Sequence, residues 1–76
     1  MRQLIAPRIA VDSAIRSGKP VIDGTRVPVD LVVGKLGGGM SMEDIATEYD
    51  LVIEDILAVL QYAATVLAAE EVRATA

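Results

Sequence analysis

The 76-residue sequence contains no cysteine, no histidine, no tryptophan and no phenylalanine. Without cysteine it has no disulfide framework, no thiolate zinc site and no cysteine nucleophile. Without histidine it lacks the usual general base near neutral pH and the commonest metal ligand, so neither a metal nor another cofactor is expected. Aromatics make up 3% of the chain, which leaves almost no surface for stacking. Positive charge is also scarce, with seven Lys and Arg against eleven Asp and Glu and a net charge of −4. The longest apolar region, Ile53 to Ala69, is interrupted by Glu54, Asp55 and Gln61. It falls short of the roughly 20 apolar residues that a membrane span needs. The early apolar stretch Leu4 to Ala6 is cut off by Arg8, which argues against a secretory signal. The expectation is a cytoplasmic protein with no membrane partner.

What is present is aliphatic. Apolar residues account for 53% of the chain, chiefly Val, Ile, Leu and Ala, which excludes a disordered polymer. The length allows one domain, residues 1–76. A domain this small buries only about 60% of the surface its unfolded chain exposes, so a partner or a second copy is expected to cover some of the remaining apolar area. Charge is split along the chain. Residues 1–38 carry Arg2, Arg8, Arg16, Lys19, Arg26 and Lys35 against Asp12, Asp23 and Asp30, a net +3, whereas residues 39–76 carry Arg73 against eight carboxylates, a net −7. Such asymmetry points to two faces, one of which meets an anionic partner. The bland alternative is a solvated surface.

The first 17 residues are weakly patterned, with a short strand around Ile9 and Val11. Gly18-Lys19-Pro20 marks a turn. In Val21-Ile22-Asp23-Gly24-Thr25-Arg26-Val27 a central Asp-Gly lies between β-branched residues, a hairpin signal in which both turn residues take positive φ. A tight loop without a ladder is the competing reading. Pro28 suits the start of a helix, and Val29, Val32, Val33, Leu36 and Met40 fall on one helical face that Gly37-Gly38-Gly39 terminates. Ser41, followed three residues later by Asp44, approximates a capping box for a second helix through Met42, Ile45, Ala46 and Tyr49.

A third helix is expected from about Ile53 to about Arg73. It carries one apolar stripe of Ile53, Ile56, Leu57, Leu60, Ala64 and Leu67 and a second of Val59, Tyr62, Ala63 and Val66. One small domain cannot cover both. The second stripe is assigned to a homodimer interface. The alternative is a long helix that tolerates exposed Val and Ala.

Enzymatic chemistry finds little support. Ser13, Ser17 and Thr25 have no histidine to activate them, and the carboxylates of residues 43–55 lie at surface spacing on helices. Lys35 precedes the glycines, the reverse of a phosphate loop. Two short helices joined by about three residues look like a helix-turn-helix, a nucleic-acid-binding device. Glu54 and Asp55 sit where such a helix meets DNA and would repel phosphate. Phosphate contact would therefore fall to Arg8, Arg16, Lys19 and Arg26. Arg26, carried on a tight turn, can alternatively enter the carboxylate cluster of a metal-dependent nuclease. Against that stands a local ion pair of Arg26 with Asp23 or Asp30.

The run Gly18-Lys19-Pro20-Val21-Ile22-Asp23-Gly24-Thr25-Arg26-Val27-Pro28-Val29 resembles the signature of the domain-of-unknown-function 433 family, itself similar to VapB-type antitoxins of type II toxin–antitoxin pairs. Gly39-Met40-Ser41-Met42-Glu43-Asp44-Ile45-Ala46 and Glu54-Asp55-Ile56-Leu57-Ala58-Val59-Leu60, followed by Tyr62-Ala63, extend the similarity over about residues 9–64. Residues 65–76 then form a C-terminal extension of the third helix.

The resemblance implies a mainly α, three-helix, helix-turn-helix-like domain, homeodomain-like or winged, with a short N-terminal β element. It implies a dimeric antitoxin that neutralises a PIN-type ribonuclease toxin encoded beside it and represses their shared operator DNA. The partner-binding or DNA-binding residues would be Arg8, Arg16, Lys19, Thr25 and Arg26, and the turn-forming residues Gly18, Asp23 and Gly24. The sequence departs from the family at Asp23, often basic or neutral there, and at Val52, often a Ser or Thr cap. The second departure suggests a third helix that begins earlier, capped by Asp50. Both weigh against DNA contact more than against toxin binding. The alternative function is a non-enzymatic oligomerisation or adaptor module.

Overall fold

A computed structural model describes residues 1–70 of the chain. Its first element, β1 (Arg2–Ala6), turns through Pro7-Arg8 into β2 (Ile9–Asp12). The two pair antiparallel, with Gln3 opposite Val11 and Leu4 opposite Ala10, and the register slips between Leu4 and Ala6. The strand β3 (Val21–Ile22) pairs antiparallel with the other edge of β2, giving a three-stranded sheet in the order β1-β2-β3. The helices α1 (Val29–Gly37), α2 (Met42–Tyr49) and α3 (Ile53–Ala68) follow. The fold is therefore α+β, with more sheet than the short β element expected.

The Asp23-Gly24 turn forms, but not as a symmetrical hairpin. Gly24 has φ +78, whereas Asp23 stays out of the left-handed region. The Thr25 N–H donates to the Ile22 carbonyl (3.0 Å) and the Ile22 N–H to the Val27 carbonyl (3.0 Å). Beyond an isolated bridge between Val21 and Pro28 the returning segment pairs no further. Proline has no N–H to extend a ladder. Pro28 instead stands in extended conformation at the N-cap of α1, with its carbonyl facing the Val32 N–H.

The helix ends follow from local chemistry. At the end of α1 the Gly39 N–H reaches the Leu36 carbonyl and the Met40 N–H the Lys35 carbonyl, both at 3.0 Å. This closure needs a left-handed residue, supplied by Gly39 at φ +97. Ser41 caps α2 as expected, its hydroxyl accepting from the Asp44 N–H at 3.1 Å. Asp50 does not cap α3. It closes α2 in the left-handed conformation, and α3 begins at Ile53, where the Asp55 carboxylate accepts from the Val52 N–H at 3.1 Å. The other end also differs from expectation. The helix stops at Ala68, and its expected end at Arg73 and the second half of the 65–76 extension lie outside the described residues.

The core joins the sheet to all three helices. Ile9 and Ile22 from the sheet, Val32 from α1, Ile45 from α2, and Ile56 and Val59 from α3 are fully buried, and Val29 and Leu51 complete the cluster. Three residues separate α2 from α3, and the chain bends by 112° between them. No single helix among the described residues is long and apolar enough to cross a membrane.

Val59 is thus a core residue, not part of a dimer interface. The periodicity that places Val59 beside Tyr62, Ala63 and Val66 is real, but β2, α1 and α2 all converge on Ile56 and Val59. The flank of α3 left in solvent holds Ile53, Leu57, Leu60 and Leu67, with Leu57 52% and Leu67 63% exposed.

Candidate functional site

The basic residues of the first half divide into those bound by carboxylates and those left free. Arg2 forms a bidentate pair with Asp23, its Nε meeting Oδ1 and its Nη2 meeting Oδ2 at 2.8 Å. The guanidinium holds the Asp23 carboxyl below its ordinary range, and the carboxylate raises the Arg2 pKa in turn. Lys19 Nζ lies 2.7 Å from Asp30 Oδ2, and this hydrogen bond likewise lowers the Asp30 pKa. Arg8 Nη1 lies 2.9 Å from Asp55 Oδ1.

Arg8 sits at the β1–β2 turn with φ 64, and its carbonyl accepts from the Asp23 N–H at 2.8 Å. Both ends of the residue therefore serve the fold, tying the hairpin to the 23–24 turn and to the start of α3. The second Asp55 oxygen caps α3, so that carboxylate is fully committed. Arg8 thus acts as a structural clamp, with its side chain still half exposed. Lys19 remains half exposed but already has a counter-ion.

Thr25 has a structural role as well. Its hydroxyl donates to the Ile22 carbonyl at 2.7 Å and accepts from the Val27 N–H at 3.0 Å. These bonds brace the turn from within, where the side chain is half buried. Threonine is selected here for its turn geometry.

Arg26 has a different standing. Its two local candidates, Asp23 and Asp30, are taken by Arg2 and Lys19. Among the described residues the exposed Arg26 side chain enters no ion pair. Its backbone carbonyl accepts from Arg16 Nε at 3.2 Å, which holds the Arg16 side chain against the Arg26 main chain.

The segment carrying Arg16 is strained. Arg16 (φ 51), Ser17 (φ 55) and Gly18 (φ 81) are three successive left-handed residues. For a residue with a Cβ that conformation costs roughly 1–2 kcal/mol. It is held by the Gly18 N–H to the Ile15 carbonyl (3.0 Å) and the Lys19 N–H to the Arg16 carbonyl (3.1 Å). Gly18 is a turn residue as expected, but the left-handed run begins two residues earlier.

A shallow depression between this turn and α1 is lined by Arg16, Lys19, Pro28, Asp30, Leu31, Gly34 and Lys35. It gathers three cations around one carboxylate. Lys35 was not among the expected site residues, and neither was Gly34. The available signals were Gly34, a helix-breaking residue inside the apolar-periodic segment, and Lys35 next to it. On the far side of the Lys19–Asp30 pair an apolar groove of about 510 Å³ runs between α1 and α3. Tyr62, Ala63 and Val66, the remainder of the stripe assigned to a dimer, line this groove together with Val29, Val33 and Leu67. Among the described residues no group of three or more His, Cys, Asp or Glu could hold a metal ion.

The sequence matches the family described as "Protein of unknown function (DUF433)" over residues 9–63. The chain belongs to this family. The DUF433 match spans β2 through most of α3 and so contains the strained turn, Arg26 and the depression. A solved structure, the X-ray crystal structure of Rv2018 from Mycobacterium tuberculosis, is similar to this DUF433 chain with a TM-score of 0.63 and 29% sequence identity. The similarity covers 68% of this chain and 24% of that one, so the chain spans about a quarter of Rv2018. No curated protein matches the sequence.

Proposed function

We propose that the chain is an antitoxin-like, non-enzymatic and dimeric binding module of the cytoplasm that neutralises a PIN-type ribonuclease encoded beside it. The observation that carries this reading is Arg26. It is exposed, on a braced turn, and without a counter-ion among the described residues because neighbouring cations have taken both local carboxylates. A guanidinium offers a planar set of donors that matches a carboxylate bidentately. The active site of a metal-dependent nuclease is a cluster of carboxylates, and an arginine entering it competes with the metal for their lone pairs. Arg16, beside Arg26, adds a second fork.

The dimer in this reading uses the wetted flank of α3, Ile53, Leu57 and Leu60, instead of the stripe first assigned to it. Large residues grouped on one exposed flank suit an interaction surface.

The 112° bend and three-residue connection between α2 and α3 fit a helix-turn-helix, and operator DNA is the second partner proposed. Asp55 is neutralised by Arg8, which removes one source of repulsion, but Glu54 remains exposed at the start of α3. DNA contact is accordingly secondary to the nuclease.

The test is co-purification with the product of the adjacent nuclease gene, together with a low-salt mobility-shift assay on the upstream DNA. Binding of the nuclease, reduced by Arg26→Ala in a domain that still melts cooperatively, is the expected result. Failure to bind either partner refutes the reading and leaves the adaptor alternative.

A further inference from the structure

We infer that the groove between α1 and α3 seats an amphipathic segment of the partner protein, apolar where it enters the groove and acidic along the edge that faces α1. This rests on the reading of the chain as a module that holds a nuclease, and it gives that partner a second point of attachment besides Arg26.

The first observation is Gly34. It lies in the interior of α1, where glycine destabilises a helix relative to alanine. The fold gives no reason for it. A Cβ built on Gly34 meets nothing within 4 Å, and its φ is an ordinary helical one. Gly34 lines both the apolar groove and the cationic depression, so the vacant space beside it opens onto the surface where the two meet. A bare backbone at such a place permits close approach by another chain. Across the groove α3 presents another small residue, Ala63, between Tyr62 and Val66.

The second observation is charge. The groove itself is apolar, but its α1-side rim is the Lys19–Asp30 pair, and beyond it lie Arg16 and Lys35. The rim is therefore net positive. An isologous second copy would set these cations against themselves, whereas a segment with carboxylates along one edge complements them. Helix-in-groove docking uses this division between apolar anchors and a charged border.

The test uses the full chain and the adjacent PIN-type nuclease in calorimetric titrations, with thermal melts of each free variant. Gly34→Ala should raise the melting temperature of the free domain by about 2–8 °C, because helix propensity improves and nothing is displaced. Gly34→Leu should fold and weaken nuclease binding at least tenfold. Lys35→Glu should also weaken binding, by a factor that shrinks as salt rises. Wild-type binding that Gly34→Leu leaves intact overturns the inference while the antitoxin reading stands. Gly34→Leu that dissociates a homodimer and spares nuclease binding identifies a second copy as the occupant and also overturns it. A wild-type domain that binds no nuclease overturns the antitoxin reading, and this inference with it.

Discussion

Two neighbouring residues on α3 separate folding from association. Ile56 is fully buried among β2, α1 and α2, whereas Leu57, the next residue, is 52% exposed. Truncating Ile56 to alanine should cost about 2–5 kcal/mol, since it removes buried methyl groups and leaves a cavity. A domain of this length has a total stability of about 4–11 kcal/mol, so Ile56→Ala forfeits a large share of it. The melting temperature should fall by at least about 8 °C. Leu57→Ala should cost the monomer about 1 kcal/mol or less, because half of the side chain is already wet and alanine favours the helix.

Its effect should appear in association. If each protomer buries the remaining half of Leu57 on dimerising, two truncations lose about 2 kcal/mol, which weakens the dimer about 30-fold. Sedimentation over a dilution series, together with denaturant titration of the same samples, measures both quantities. A dimerisation constant indifferent to Leu57→Ala refutes the assignment of this flank. Leu57→Ala as destabilising as Ile56→Ala refutes the division of α3 into a core face and a wet face.

Two further predictions concern charge and strain. The Asp12 carboxyl is lowered by the Ala14 N–H, and those of Asp23 and Asp30 are lowered by hydrogen bonds from Arg2 and Lys19, all from an ordinary 3.8. A depressed native pKa contributes stability above the unfolded value and loses it as pH falls through the native one. Denaturant midpoints should therefore hold steady at neutral pH and fall below about pH 4, less steeply in Asp23→Asn and Asp30→Asn. Ser17→Gly should stabilise the free domain by about 1 kcal/mol by relieving a left-handed residue that bears a Cβ. The same change should loosen the turn that aligns Arg16 with Arg26 and weaken partner binding, as paired melts and titrations would show.

The helices were legible because their signals are local. The 3.6-residue spacing of Val29, Val32 and Leu36, the Ser41 cap and the triple glycine each act within a few residues of where they stand. The strand β1 was not legible. It is an edge strand with four of its five residues exposed, so burial imposed no alternation on it. The division of α3 was also hidden. Both of its stripes are apolar, and only the position of β2 and α1 decides that Val59 lies inside and Leu57 outside.

At the site, Gly24 and Arg26 were readable from the turn. The disposition of the other cations was not, because their partners are remote in sequence. Arg2 meets Asp23 across 21 positions and Arg8 meets Asp55 across 47. That Arg26 is left without a local carboxylate is seen only once those pairs are formed.

Titrating the domain into the adjacent ribonuclease, with cleavage of a single-stranded RNA as the readout, tests the central claim most directly. Wild-type protein should abolish cleavage near one-to-one stoichiometry, and Arg26→Ala should require a large excess. Cleavage untouched by the wild-type domain, or suppressed equally well by Arg26→Ala, contradicts the account.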